Sequence, residues 1–154
     1  MTPIQKKVFQ MLQIFTQICD RLQLKYFLVC GSALGAVKYG GFVPWDDDVD
    51  VALFRNDYER FCKEAPALLP KQFFLQNFQS DPAFPAIYSK LRDSETTCIE
   101  ESVAALPINH GISIDIFPLD GYPKDKKEQE RLERKKAWFV RKLWIQARRQ
   151  ENSD

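Results

Sequence analysis

Four aspartates within five residues, in Trp45-Asp46-Asp47-Asp48-Val49-Asp50-Val51, constrain this chain more than any other feature. Like charges this close repel, so a folded chain keeps them beside apolar residues only when a cation or strong hydrogen bonding offsets the repulsion. A divalent metal is the simplest such cation. The alternation of the run predicts a strand over Asp48 to Phe54, with Asp48 and Asp50 on one face and Val49 and Val51 in the core behind it. Two hard oxygen ligands side by side suit magnesium or manganese. Asp47 falls on the opposite side and reads as a turn cap.

Gly111-Ile-Ser-Ile-Asp115-Ile-Phe117 carries a third carboxylate of the same kind, since Ile112, Ile114 and Ile116 form a buried face and Asp115 points the other way. Pairing of the two strands would bring Asp115 to Asp48 and Asp50, and three converging carboxylates make a metal cradle. Within it Asp48, Asp50 and Asp115 are the candidate catalytic residues, and an acid beside a metal can serve as general base toward an acceptor hydroxyl. The phosphate side of such a reaction needs backbone donors and positive charge. Gly31-Ser32, ahead of a short helix from Ala33 to Tyr39, supplies open N–H groups. Tyr88, Lys90 and Arg92 alternate on one strand face, and Lys90 and Arg92 are the candidates to neutralise a diphosphate.

The remaining pattern predicts a mixture of helices and strands without the regular alternation of a parallel Rossmann sheet. Thr2-Pro3-Ile4-Gln5 is a capping-box helix start, followed by apolar residues at Val8, Met11, Leu12, Phe15, Ile18 and Leu22. Strands are expected at Tyr26 to Cys30, Phe73 to Phe78, Ala86 to Arg92 and Ile112 to Phe117, and a helix capped by Asn56 and Glu59 runs toward Leu68. A long helix spans Lys124 to Gln150, with an apolar stripe through Leu132, Trp138, Phe139, Leu143 and Ala147. It reads either as one face packed on its own domain or as a basic amphipathic surface for an anionic membrane or partner.

Size and charge narrow the function classes. The 154 residues fit a single α+β domain, with its motif core over residues 26–121 and the basic helix over 124–150. The net charge of +1 leaves no broad basic surface for nucleic acid. It divides unevenly, however: residues 1–123 hold 11 Lys and Arg against 15 Asp and Glu, and residues 124–154 hold 11 against 6. Cys19, Cys30, Cys62 and Cys98 are scattered, which predicts four buried thiols rather than a zinc site or disulfides. No run is long and apolar enough to span a membrane and no secretory signal is evident, so a cytoplasmic protein is expected, with the basic helix as a contact to the inner membrane face. Asp93, Glu95, Glu100 and Glu101 read as a solvated loop, His110 as structural or exposed, and Trp45 as a base-stacking or packing residue.

The stretch Gly31-Ser-Ala-Leu-Gly-Ala-Val-Lys-Tyr-Gly-Gly-Phe-Val-Pro-Trp-Asp-Asp-Asp-Val-Asp-Val51 resembles the signature of LicD-type proteins, which include fukutin and fukutin-related protein. Lys90-Leu-Arg-Asp-Ser-Glu-Thr-Thr97 and Ile114-Asp-Ile-Phe-Pro-Leu-Asp120 resemble later motifs of the same family. The resemblance, from about Tyr26 to Gly121, implies a nucleotidyltransferase-like mixed sheet flanked by helices. It also implies magnesium-dependent transfer of phosphocholine or an alditol phosphate from a CDP-linked donor to a hydroxyl of a cell-surface glycan such as lipopolysaccharide or teichoic acid. By position, Asp48 and Asp50 match the metal pair, Asp46 the acid before it, Asp115 the third carboxylate, Gly31 and Ser32 the phosphate-side turn, and Lys90 a basic residue near the donor. Family members continue past the point where this chain ends, which implies that the acceptor side is completed by further sequence.

Three rival readings stand beside this one. Asp46-x-Asp48-x-Asp50 imitates the opening of a calcium-binding EF-hand loop, with Asp57 at its twelfth position, but Val51 stands where that loop needs glycine. A glycosyltransferase could use Asp-x-Asp to hold a sugar nucleotide. A non-catalytic nucleotide- and metal-binding domain lacking the acceptor half is the third.

Overall fold

A computed structural model describes residues 1–151. Helix α1 (Pro3–Leu22) begins with the expected capping box: Thr2 Oγ accepts from Gln5 N–H, and Gln5 Oε1 accepts from Thr2 N–H. It ends at Gln23 in the left-handed region, and the chain then runs into β1 (Tyr26–Leu28) and α2 (Cys30–Tyr39). Strand β2 (Asp50–Phe54) is followed at once by α3 (Arg55–Glu64) and a short 3-10 turn, Ala65–Ala67. Strands β3 (Phe73–Gln76), β4 (Ser89–Asp93) and β5 (Ile112–Leu119) complete the sheet, and α4 (Lys126–Glu151) closes the described chain.

The five strands lie in the order β1-β2-β5-β4-β3, and only β2 and β5 run parallel. This is the expected α+β architecture, a mixed sheet flanked by helices. Alternation gives the sheet two unlike faces. Val51, Leu53, Leu91, Ile114 and Ile116 pack against Val8, Met11 and Phe15 of α1 and Phe61 of α3, all essentially inaccessible to water. Phe15 is central to that core, its ring 5.1 Å from that of Phe61 and 5.6 Å from that of Tyr26. The opposite face carries Asp50, Asp115, Lys90 and Arg92.

Several local expectations are corrected. Strand β2 begins at Asp50 rather than Asp48, because residues 46–49 form a loop that crosses from α2 to the sheet. Helix α3 starts at Arg55 with Phe54 as an uncapped N-cap, so Asn56 is not its cap. Arg55 is instead held by a two-pronged pairing with Asp120, Nε at 2.7 Å from Oδ1. The extended β2 backbone, with Val51 and Leu53 buried in the sheet, excludes an EF-hand loop. Of the cysteines only Cys19 is buried; Cys62 is half-buried, and Cys30 and Cys98 are exposed. In α4 the stripe divides: Leu143 is buried and Ala147 packs with Val103 and Leu106, whereas Leu132, Trp138 and Phe139 stay exposed. Asp93 is not solvated at all; it lies fully buried and pairs with Lys7 of α1.

Because Phe15 joins both helices to the sheet, Phe15→Ala should lower unfolding free energy by about 3–5 kcal/mol, the usual cost of emptying a buried aromatic site. Urea denaturation followed by far-UV circular dichroism measures it.

Candidate active site

The site is assembled at one end of the β1, β2 and β5 strands, on the face away from the core. Val29 is extended and Cys30 adopts φ 51°, so the chain turns sharply from β1 into α2. Val29 N–H donates to Asp50 O at 3.1 Å, and Ser32 Oγ accepts from Asp50 N–H at 2.8 Å. That second bond joins the start of α2 directly to β2. The Ser32 hydroxyl uses a lone pair there and keeps its proton for another partner. No side chain caps the N-terminus of α2, so its first N–H groups remain suited to an anion.

A Cβ at residue 31 would run into the Asp46 carboxylate and push it aside, so glycine there leaves that carboxylate its place. Asp46 is itself fixed through its backbone: its N–H donates to Val43 O at 3.0 Å, and its carbonyl accepts from the buried Gln5 Nε2 at 2.7 Å. The loop carrying it folds back over α2 because Gly35 lets the Gly41 and Val43 backbone approach. Gly40, at φ 64°, makes the turn.

Strand register brings the distant residues in. Asp50 lies directly across from Asp115 on β5, and Asp115 lies directly across from Lys90 on β4. Three charged side chains thus stand in one row across three strands. Lys90 Nζ sits 2.9 Å from Asp115 Oδ1 and 3.0 Å from Glu100 Oε1. Tyr88, just before β4, packs its ring 4.7 Å from that of Phe117, and burial followed by the Asp115 charge pushes its hydroxyl pKa up.

Electrostatics confirm that the carboxylates share one space. Asp48 is pushed up to about 6, first by burial and then by Asp50, Asp46 and Asp115. Asp50 is raised by burial, Asp115 and Asp46, with Lys90 acting against them. Asp115 is raised by burial in spite of Lys90. Burial alone would push the Lys90 ammonium down, but Asp115 beside it more than offsets this and the net shift is upward. Among the described residues four carboxylates face Lys90, with Arg92 also acting on Asp115, so negative charge is left in excess. Hard oxygen donors with uncompensated charge fit a divalent cation such as magnesium. Among the described residues no three such side chains are closed into a ready ligand shell, and Asp115 is paired with Lys90. An ion here would be held at an open site, completed by water or substrate oxygens.

Asp46, Asp48, Asp50, Asp115, Gly31, Ser32 and Lys90 are therefore brought together. Arg92 is not at the opening: it is buried, donating to Gln76 Oε1 at 2.8 Å and Gly111 O at 2.8 Å, with Glu100 at 3.3 Å. Glu100 lies in a loop with its side chain partly exposed, but it is tied down by Lys90 and Arg92 rather than merely solvated. Its burial acts upward, yet Lys90 and Arg92 hold its carboxyl below the ordinary range. Trp45 is exposed, 6.4 Å from the ring of Tyr39, and His110 is half-buried with Nε2 on Leu106 O. Sequence reasoning missed Glu100 and Gln5, whose partners are distant in the chain. It noted Tyr88 without its packing on Phe117.

The helix start at Gly31-Ser32 is joined directly to the aspartate-bearing strand β2. The chain belongs to the LicD/FKTN/FKRP family, whose nucleotidyltransferase-domain model matches residues 23–151. It is similar to the lipopolysaccharide cholinephosphotransferase LicD of Haemophilus influenzae, 29% identical over 117 residues, which cover 75% of this chain and 43% of that protein. It is also similar to uncharacterised proteins of Rickettsia typhi, 29% identical over 59 residues, and Rickettsia prowazekii, 30% identical over 50 residues. These matches cover 38% and 32% of this chain and 19% of each relative. The chain thus spans less than half the length of the curated relatives it matches.

The raised carboxyls make a pH prediction. A carboxyl whose folded pKa exceeds its unfolded value binds protons more readily in the native state, so stability falls as pH rises through that window. For Asp48 the window runs from its ordinary 3.8 to about 6. In chelator-treated protein, Asp48→Asn should raise the melting temperature at pH 8 and shrink the loss between pH 4.5 and pH 7, as read by differential scanning calorimetry.

Proposed function

We propose that this domain transfers a phospho-alcohol, phosphocholine or an alditol phosphate, from a CDP-linked donor to a hydroxyl of a cell-surface glycan. The observation that carries the reading is the Asp50, Asp115 and Lys90 row beside the Gly31-Ser32 helix start. Membership of the LicD family and the name of the Haemophilus relative support a phosphocholine-type donor and a lipopolysaccharide-type acceptor. Magnesium or manganese, held by Asp48 and Asp50 with Asp46 and Asp115 beside them, would supply Lewis-acid stabilisation of charge on the diphosphate.

The side chains then divide the work. N–H groups at the start of α2 and the free Ser32 proton bind diphosphate oxygens. Asp115 takes the proton of the acceptor hydroxyl as its oxygen bonds to the alcohol-bearing phosphorus. The bond from that phosphorus to the bridging oxygen breaks, and CMP leaves with the bond's electron pair. Lys90 positions Asp115 and offsets charge developing on the phosphoryl oxygens. Glu100 restrains Lys90, and Arg92 restrains Glu100, so Arg92 acts on the donor at a distance rather than by contact.

No described helix is long and apolar enough to cross a membrane. The exposed Trp138, Phe139 and basic residues of α4 support contact with an anionic membrane surface at its cytoplasmic side.

A panel of CDP-alcohols assayed for CMP release, with and without magnesium, tests the reaction. Asp115→Asn should reduce turnover by about 10²–10⁴-fold, the range for a lost general base, while CMP binding by calorimetry is kept. Asp48→Asn combined with Asp50→Asn should abolish magnesium binding without unfolding the domain. Substantial turnover in Asp115→Asn rejects the base assignment.

A further inference from the structure

A cavity of about 460 Å³ opens at the β4 end of the charged row, between the segments over residues 84–88 and 100–103 and α4, a size common for small-molecule sites. Its walls include Tyr88, Lys90 and Glu100, with Lys136, Val140 and Trp144 of α4. The Gly31-Ser32 turn stands at the other end of that row, beside β2. Lys90 belongs to both the row and the cavity, its Nζ 2.9 Å from Asp115 Oδ1. Attacking and leaving oxygens stand roughly in line in phosphoryl transfer. A diphosphate held at the β2 end therefore leaves the β4 end for the group that attacks.

The lining side chains say what would fit. Both cations that hold Glu100 fall on one of its oxygens: Lys90 Nζ lies 3.0 Å and Arg92 Nη2 3.3 Å from Oε1. Oε2 takes no hydrogen bond from a described residue, and a fixed carboxylate oxygen with spare lone pairs accepts from a hydroxyl. Trp144 is half-buried, seated on the cluster of Val103 and Leu106, and together with Tyr88 it gives the cavity aromatic walls. The C–H face of a sugar ring packs on such surfaces while its hydroxyls stay at the edge. Lys136 is exposed and makes no ion pair with the described residues. The charged lining is thus Lys90 and Lys136 against Glu100, and an ammonium without a carboxylate beside it favours a ligand with an anionic substituent.

We propose that this cavity receives the acceptor and selects a sugar bearing an anionic substituent, a phosphate or a carboxylate, with Glu100 and Lys136 as its specificity-determining residues. The inference rests on the transferase reading above and adds to it a second binding site and a role for the inner side of α4. Glu100 then has two duties, since Oε1 restrains Lys90 and Oε2 reads a hydroxyl. Lys136 reads the charge.

Two-dimensional NMR of the full chain with magnesium and CMP tests it, following the Trp144 indole signal, which is identified by its loss in Trp144→Phe. Glucose-6-phosphate or glucuronate should shift that signal and bind about tenfold more tightly than glucose, with the indoles of Trp45 and Trp138 unmoved. A preference for one anion alone supports the site and identifies the substituent. Lys136→Gln should bring the anionic sugars within about twofold of glucose, and Val140→Phe, which fills the cavity, should remove the shift for every sugar. Two variants guard against one failing to fold, with circular dichroism as the check. Equal affinities for glucose and both anionic sugars, shifts spread evenly over the indoles, or a preference untouched in folded Lys136→Gln overturns the acceptor cavity while leaving the transferase reading in place. Absence of CMP binding in calorimetry overturns the transferase reading, and this inference with it.

Discussion

The pairing of β2 with β5 is the constraint on which the site depends. Val51 and Leu53 on one strand and Ile114 and Ile116 on the other must face α1 and α3, so Asp50 and Asp115 must face away. A slip of one residue would drive both carboxylates into the core and expose the isoleucines. The apolar alternation that folds the sheet therefore also sets two acids side by side. Their repulsion is a cost the fold accepts, because burying the valine, leucine and two isoleucine side chains outweighs it.

A second shell keeps this charged row in place from the β4 side. Lys90 is gripped by Asp115 and Glu100, Glu100 is gripped again by Arg92, and Arg92 is saturated by Gln76 and Gly111. An arginine with so little exposure is tolerable only because each nitrogen of its guanidinium finds an oxygen. The result is a lysine whose position is set by three strands and a loop rather than by its own flexible stem.

Much of this was legible in the sequence because it is written locally. Alternation around Asp50 and Asp115 and the capping box at Thr2 each occupy a few neighbouring residues and hold in the structure, whereas Gly31-Ser32 lie within the first turn of α2, which begins at Cys30 rather than Ala33. Asp48 reached the cluster by another route, through a loop held at Asp46, since the strand begins two residues later than alternation alone suggests. Arg92 shares the face of Lys90 as expected, but what lies above that face is decided by loops over residues 77–88 and 94–111, which carry no periodic signal. Glu100 and Gln5 escaped for the same reason: their roles are defined by partners many residues away. In α4 the charge pattern marked a helix correctly, while the depth of its packing depended on a small cluster around Val103 that no stripe could reveal.

Gln5 deserves a last remark, because one amide performs two tasks. Its oxygen completes the opening turn of α1 and its nitrogen holds the carbonyl of Asp46. The beginning of the chain is consequently a strut beneath the acidic loop, and fraying of that first turn would loosen the loop's grip on the glycine bend. Order at the terminus and order at the reaction centre are thereby a single mechanical variable.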